Sequence, residues 1–238
     1  MLVTYLDHSG FCVELEKHIF VFDYYKGRVP DFDKEKQIYV FSSHAHHDHF
    51  NRTILTWQEQ YPDIHYVFSA DIKCPKAENI TFVPADKAVT IGEFTVETFA
   101  STDEGVAYLV TAEGRTIYHA GDLNWWTWIG ETSLEYQDMT KRFQHEMEKL
   151  RGRRLDLAFM VLDPRQEERY YWGFDYFMRT TDTQIVFPMH FWGDFPVIGR
   201  LLADPHSEPY RKQIQVIHHE GEQFLIQDNP SGEPECLI

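Results

Sequence analysis

Cysteine is scarce in these 238 residues: Cys12, Cys74 and Cys236 are odd in number and far apart. They suit neither a disulfide framework nor a cysteine-rich zinc site, and a reducing compartment follows. No apolar run approaches the ~18 residues needed to span a bilayer. The opening MLVTYLDHSG also lacks a basic segment followed by a sustained apolar one. Export and membrane insertion are unsupported, and the cytoplasm is the expected location. Low-complexity stretches, Pro/Gly/Ser linkers and repeats of roughly 20 to 50 residues are missing too, so residues 1–238 read as a single domain. Positive charge is in short supply, with 22 Lys and Arg against 38 Asp and Glu and a formal net charge of −16. Such a chain repels a polyanion unless its cations gather in one patch. Its dense basic run, Arg151, Arg153 and Arg154 around Gly152, reads as a cationic helix end that complements the helix dipole. Nucleic acid is therefore not an expected partner, although a small metal-coordinated phosphate would not feel the whole-chain charge in the same way.

What is abundant is apolar surface. The chain is 43% hydrophobic and carries 18 Phe, 13 Tyr and 6 Trp, rings that only a buried core can hide. In the first half, short runs rich in Val, Ile, Tyr, Phe and Thr alternate with turn residues: VTYLD, FCVELE, HIFVFDYY, QIYVFSS, HYVFSA, ITFVPA, FTVETFA, GVAYLVTA and RTIYHAG. These predict strands, with one helix among them at 52–60. Residues 131–150 place Leu134, Met139, Phe143, Met147 and Leu150 at helical spacing among charges, which predicts a long amphipathic helix. A strand LDLAFMVLD follows, then a helix near 167–179, a strand QIVFPMH, a helix near 195–204 and a final strand pair around IQVIHHEGEQFLI. Strands with helices at intervals in both halves predict an α/β fold of two sheets packed face to face with helices outside.

The segment QIYVFSSHAHHDHF carries the chemistry, because an apolar strand runs directly into His44, His46, Asp48 and His49. In an extended segment residues two apart project to the same side, so His44 and His46 can grip one cation while a turn swings Asp48 and His49 toward a second. Imidazole nitrogens and carboxylate oxygens are the ligands a borderline divalent metal accepts. The pattern H-x-H-x-D-H would arise by chance in roughly a few chains in a thousand of this composition. One loop cannot close a two-cation site, so other strand ends must contribute. RTIYHAGD ends in Gly121 and Asp122, and QIVFPMHF ends at His190 after a buried run.

SHAHHDH, then HAGD, then PMH, in that order, resemble the metallo-β-lactamase superfamily, and within it the small single-domain hydrolases similar to ascorbate-phosphate lactonase. The opening YLDHSGFCVELE and FVFDYY are similar to the first strands of those members, and the resemblance spans nearly the whole chain. Residues 127–168 match only in a helix-then-strand pattern. The resemblance implies a four-layer αββα sandwich of two mixed sheets with helices outside and a dinuclear site at one edge. It implies His44 and His46 as ligands of a first metal, Asp48, His49 and His190 of a second, and Asp122 as a bridge. Asp48, Asp122 and His190 are then the residues expected to serve the reaction. Where such proteins have a further His before the HAGD strand, this chain reads TFASTDEGVAYLV. Of Ser101, Thr102 and Asp103 there, Asp103 is the one that would bind a hard cation well; His119, water or a vacant position are the alternatives. One or two divalent ions are expected, zinc first, with manganese or iron as alternatives.

Asp23 resembles an acidic residue that orients a ligating imidazole; His8 and His119 resemble nearby histidines of supporting or purely structural role, and His218 and His219 read as structural. Trp125, Trp126 and Trp128 either cap a substrate or fill the gap between sheet and long helix. The stretch DPRQEERYYWGFDYF departs from the resemblance and is the candidate for substrate choice, with Arg165 suited to a phosphate or carboxylate. The expected activity is hydrolysis, in which a metal-activated hydroxide, oriented by Asp48, attacks the ester-type bond of a lactone or phosphodiester. A mononuclear iron oxidoreductase of the persulfide-dioxygenase kind is the alternative. A non-catalytic module is disfavoured by six of seven ligand-type positions being present. A small molecule is the expected partner, a homo-oligomer is left open, and neither nucleic acid nor membrane is expected.

Overall fold

The computed structural model describes residues 1–228 and 232–237. Six strands open the chain: β1 (Leu2–Asp7), β2 (Gly10–Glu14), β3 (His18–Phe22), β4 (Gln37–Ser42), β5 (His65–Ser69) and β6 (Ile80–Val83). Four more come next, β7 (Ala88–Ile91), β8 (Phe94–Ala100), β9 (Val106–Ala112) and β10 (Arg115–His119). The second half holds α1 (Ser133–Lys149), β11 (Arg154–Leu155), β12 (Leu157–Val161), α2 (Trp172–Thr180), β13 (Asp182–Thr183), β14 (Val186–Met189), α3 (Pro196–Ala203), β15 (Gln223–Asp228) and β16 (Pro234–Leu237). One sheet has the order β16-β15-β1-β2-β3-β4-β5-β6, the other β14-β12-β10-β9-β8-β7, and β11 pairs with β13.

The strands are where the apolar runs demand them. HIFVF and LAFMV are buried along their whole length, as strands covered on both faces must be. Between the sheets Phe11 meets Phe159 (ring centroids 4.1 Å), Phe20 meets Phe94 (5.1 Å) and Phe41 meets Tyr108 (5.2 Å). Each such ring contributes about 1.5–3 kcal/mol through burial. Outside the second sheet, α1 and α2 bring Phe143, Met147 and Phe177 inward, and Phe177 stacks on Tyr118 at 5.1 Å. α1 starts at Thr132, whose hydroxyl and the Glu135 carboxylate cap each other's backbone amides. Outside the first sheet the cover is thinner: Ile54, Phe32, Tyr61 and Phe50 lie over Leu6, Val21, Val40 and Phe68.

Strand direction, more than strand order, positions the functional edge of the molecule. β1 is antiparallel to β2 and β2 to β3, so β1 shares the direction of β3 and β4. In the other sheet β8 and β10 both run against β9, and β10, β12 and β14 are parallel. These seven strands therefore deliver their C-terminal ends to one edge of the sandwich. There the His190 amide donates to the His8 carbonyl (3.1 Å), joining the two sheets' edges. The carboxyl ends of strands are where open α/β sheets hold ligands.

Three local expectations differ from the structure. The helix expected at 52–60 is a 3₁₀ helix, Arg52–Glu59. The one expected near 167–179 is two pieces, a 3₁₀ segment Pro164–Arg169 and then α2, broken where Glu167 takes a φ of 56°. The final strand pair is not a hairpin within 214–226. The Glu222 carboxylate accepts from the His218 amide (2.6 Å) and pairs with its ring (2.9 Å), which turns the chain, and β15 pairs instead with β1 and β16. Among the described residues no helix is long and apolar enough to cross a membrane.

Candidate metal centre

β4 ends at Ser42, and His44, His46, Asp48 and His49 lie beyond it in a bend and a turn rather than in extended strand. A buried carboxylate shapes that turn. Asp23, just after β3, accepts from the Ser43 amide (2.7 Å), the Ser43 hydroxyl (2.6 Å) and His49 Nδ1 (2.7 Å). Two glycines let the second sheet's loops close on Ser43. A Cβ on Gly105 (φ +69°) would sit 1.9 Å from the Ser43 carbonyl oxygen, and one on Gly121 (φ +52°) 2.7 Å from Ser43 Cβ. Only a residue without a side chain permits this approach, and it brings Asp103 and Asp122 onto the histidine loop.

The result is two clusters of side chains, each with its ligand-type atoms within 4.8 Å of one another: His8, Asp48, His49 and His190, and His44, His46, Asp103 and Asp122. In the first, His8 Nε2 is 3.4 Å and His49 Nε2 3.9 Å from Asp48 Oδ2. In the second, His44 Nε2 is 2.9 Å from His46 Nδ1 and 3.5 Å from Asp122 Oδ2, and His46 Nδ1 is 3.8 Å from Asp103 Oδ2. Asp122 reaches both clusters, since its Oδ1 lies 3.2 Å from His49 Nε2 and 3.3 Å from His190 Nε2.

Hydrogen bonds behind the rings set which nitrogen is free. His49 Nδ1 donates to Asp23, and His190 Nδ1 donates to Asp163 Oδ2 at 3.0 Å. Ser43 gives its single hydroxyl proton to Asp23, so His44 Nδ1 donates to Ser43 Oγ at 2.9 Å. All three imidazoles thus point Nε2 toward the clusters, the nitrogen that such outer hydrogen bonds leave for a metal to take in place of a proton. Burial holds His8 and His44 neutral, with pKa values pushed down to about 4. Burial also opposes a charge on His49, but the Asp122 and Asp23 carboxylates outweigh it and keep its pKa well above the ordinary histidine value. Burial alone would raise Asp122, yet His49, His190 and His44 hold it well below the carboxylate range.

These residues fit a divalent cation. Both ring nitrogens of His8, His49 Nε2 and Asp122 Oδ1 are buried and make no hydrogen bond among the described residues. Leaving one such atom unpaired costs about 1–3 kcal/mol. Five imidazoles and three carboxylates are also the donor set a borderline metal takes.

All six residues expected as ligands, His44, His46, Asp48, His49, Asp122 and His190, come together, and Asp103 stands beside His46. His8 joins Asp48, His49 and His190 as a ligand-type side chain, where the resemblance implied only a supporting or structural role. Its signal was slight, a His at the end of β1 whose backbone is left-handed (φ 55°). His119 is instead satisfied internally, Nε2 donating to the Ser9 carbonyl (2.9 Å) and Nδ1 accepting from the Gly121 amide (3.1 Å). His218 and His219 are exposed and far along the chain. Trp125 packs on Phe143 and donates to Thr140, whereas Trp126 and Trp128 line a cleft of about 600 Å³ together with Asp48, Asp103, Asp122, His190, Arg165 and Trp192. Within the stretch expected to govern substrate choice, Asp163 supports His190 from beneath and Arg165 lines the cleft, while Tyr171 stacks on His206, away from it.

Residues 2–127 match the family described as Beta-lactamase superfamily domain. No curated protein matches. Among solved structures, the chain is similar to Igni18, a metallo hydrolase from Ignicoccus hospitalis, at 15% identity over 93% of this chain and 96% of that one, with a TM-score of 0.59. It is similar to the metallo-β-lactamase fold protein YhfI from Bacillus subtilis at 15% identity, covering 93% and 98%, with a TM-score of 0.58. A CmlA β-hydroxylase variant, from Streptomyces venezuelae, shares 12% identity, with 93% of this chain and 53% of that one covered and a TM-score of 0.55. At these identities the likeness is one of fold.

Proposed function

Because this chain belongs to the metallo-β-lactamase superfamily, we propose that it is a metal-dependent hydrolase that cleaves an ester-type bond, of a lactone or a phosphodiester, in a small substrate. The observation that carries this reading is the meeting of five imidazoles and three carboxylates, from the ends of β1, β4, β8, β10 and β14, beside one cleft. His8, Asp48, His49 and His190 would hold one cation, His44, His46 and Asp103 a second, and Asp122 would serve both. A divalent ion bound there supplies Lewis acidity and makes water a nucleophile at neutral pH.

The remaining chemistry falls to the chain itself. Asp48 lines the cleft and would orient the attacking water and receive its proton. Asp163 keeps the His190 ring fixed with its Nδ1 proton occupied. Trp126 and Trp128, parallel within 5° and 6.0 Å apart, offer an apolar wall for the substrate's body. Zinc suits the histidine-rich cluster; two carboxylates in the other admit manganese or iron.

Elemental analysis of the purified protein, with assays on lactones and bis(4-nitrophenyl) phosphate with and without added zinc or manganese, tests the reading. Bound metal and metal-stimulated hydrolysis are expected, both lost in the His46→Ala, Asp122→Ala double variant while its circular dichroism is kept. Unchanged metal in that variant, or iron with oxygen uptake and no hydrolysis, would overturn it.

A further inference from the structure

Arg165 is held in place from two sides. Its Nε donates to both oxygens of Asp163 (2.9 Å each), its Nη2 donates to Oδ2 as well, and its guanidinium lies 4.7 Å over the Trp192 ring. Asp163 is fully buried, whereas the Arg165 side chain is 50% exposed and lines the cleft. The carboxylate therefore grips the guanidinium from behind. Among the described residues Nη1 has no hydrogen-bond partner and Nη2 uses one of its two N–H groups, so three of the five N–H donors of this head remain free.

Trp192 adds to the case. It sits at φ 53°, a backbone conformation bulky L residues rarely adopt. With His190 also left-handed, at φ 64°, the loop after β14 folds back and stands the Trp192 ring between His8 (4.3 Å) and Arg165. A strained tryptophan under a carboxylate-clamped arginine, beside a cluster of metal-type ligands, is an arrangement that global packing must hold in place. Arg142 of α1 lines the same cleft, so cations stand in its wall although the chain as a whole is strongly acidic.

We propose that Arg165 is the anion-recognition arm of this cleft, and that the substrate carries a carboxylate or phosphate group separate from the bond that is cleaved. A planar guanidinium with three free donors matches such oxyanions in geometry and charge. The inference deepens the hydrolase reading and rests on it for the position of the reacting group.

Isothermal titration of the metal-loaded protein with three ligands tests the arm: propylphosphonate, 3-phosphonopropionate and propane-1,3-bisphosphonate. All place one phosphonate at the clusters, so effects of a substitution transmitted through Asp163 and His190 cancel when affinities are compared within a variant. In the wild type at least one ligand with a second anionic group is expected to bind at least about tenfold tighter than propylphosphonate. In Arg165→Met that gain should fall below about twofold, with partial recovery in Arg165→Lys. Which second group gains more distinguishes carboxylate from phosphate. A gain that survives Arg165→Met, or no gain in the wild type, overturns the arm. Binding of a two-anion ligand that depends on Arg165, without any binding of propylphosphonate, sustains the arm and sinks the metal reading. Absence of binding by all three sinks both.

Discussion

Every member of the cluster His8, Asp48, His49 and His190 is buried, whereas in the cluster His44, His46, Asp103 and Asp122 the side chains of His46 and Asp103 are 44% and 47% exposed. The buried cluster is also braced from behind, His49 by Asp23 and His190 by Asp163, both fully buried carboxylates. In the other, His44 leans on a serine hydroxyl, and His46 has the partly exposed Asp103 and Glu104 nearby at 3.8 Å and 3.5 Å. Ligands fixed by buried charge lose little entropy on binding, while exposed ones must be ordered and must displace water. The proposed sites should therefore be unequal, the buried one tight and the exposed one exchangeable.

The largest effect should come from removing what the clusters share. Asp122→Ala is expected to strip metal from both and abolish turnover, as read by elemental analysis; loss from one cluster alone would show that Asp122 does not bridge. Next, Asp163→Asn should weaken binding at the buried cluster by about 10–100-fold, measured by competition with a chelator. An equal loss at both clusters would erase the contrast. Asp103→Asn should remove only the weaker class of bound metal, and Asp103→His should shift that class toward zinc over manganese; titration with each metal checks both.

The smallest effect calibrates the others from a distance. Glu113 accepts from the amides of Glu16 and Lys17 and from His18 Nδ1 (2.9, 3.0 and 2.7 Å), clasping the β2–β3 turn. Glu113→Gln should cost about 1–2 kcal/mol in thermal melts with metal content unchanged. Burial pulls this carboxyl's pKa upward, but the bonds from His18 and the two amides prevail and hold it below its ordinary 4.5. A depressed folded-state pKa means that the stabilisation is full above 4.5 and is lost as pH falls through the lowered value. The gap between wild type and variant should accordingly close in acid.

Much of this was legible in the sequence because it is local. Runs rich in β-branched and aromatic residues, such as QIYVFSS and LDLAFMVLD, favour a covered strand, and a loop with four histidines and an aspartate in six residues has little to do except bind. The broken helix at Glu167 and the lost hairpin before Gln223 were not legible, since each depends on side-chain hydrogen bonds whose partners are fixed only by the surrounding turn. The same holds at the site. The placement of His8 among the ligands and of Asp163 behind His190 was not legible, because both arise from a neighbour remote in sequence, His190 in both cases.

By itself, then, the order of residues determined the strands, the ligand-rich loop and which side chains could bind a cation, because these depend on short-range periodicity and side-chain chemistry. Only the tertiary structure decided which ligands stand together, which are sheltered and that Arg165 faces the cleft. Those depend on strand ends from both sheets reaching one edge, and strand direction and pairing are set by contacts across the whole sandwich.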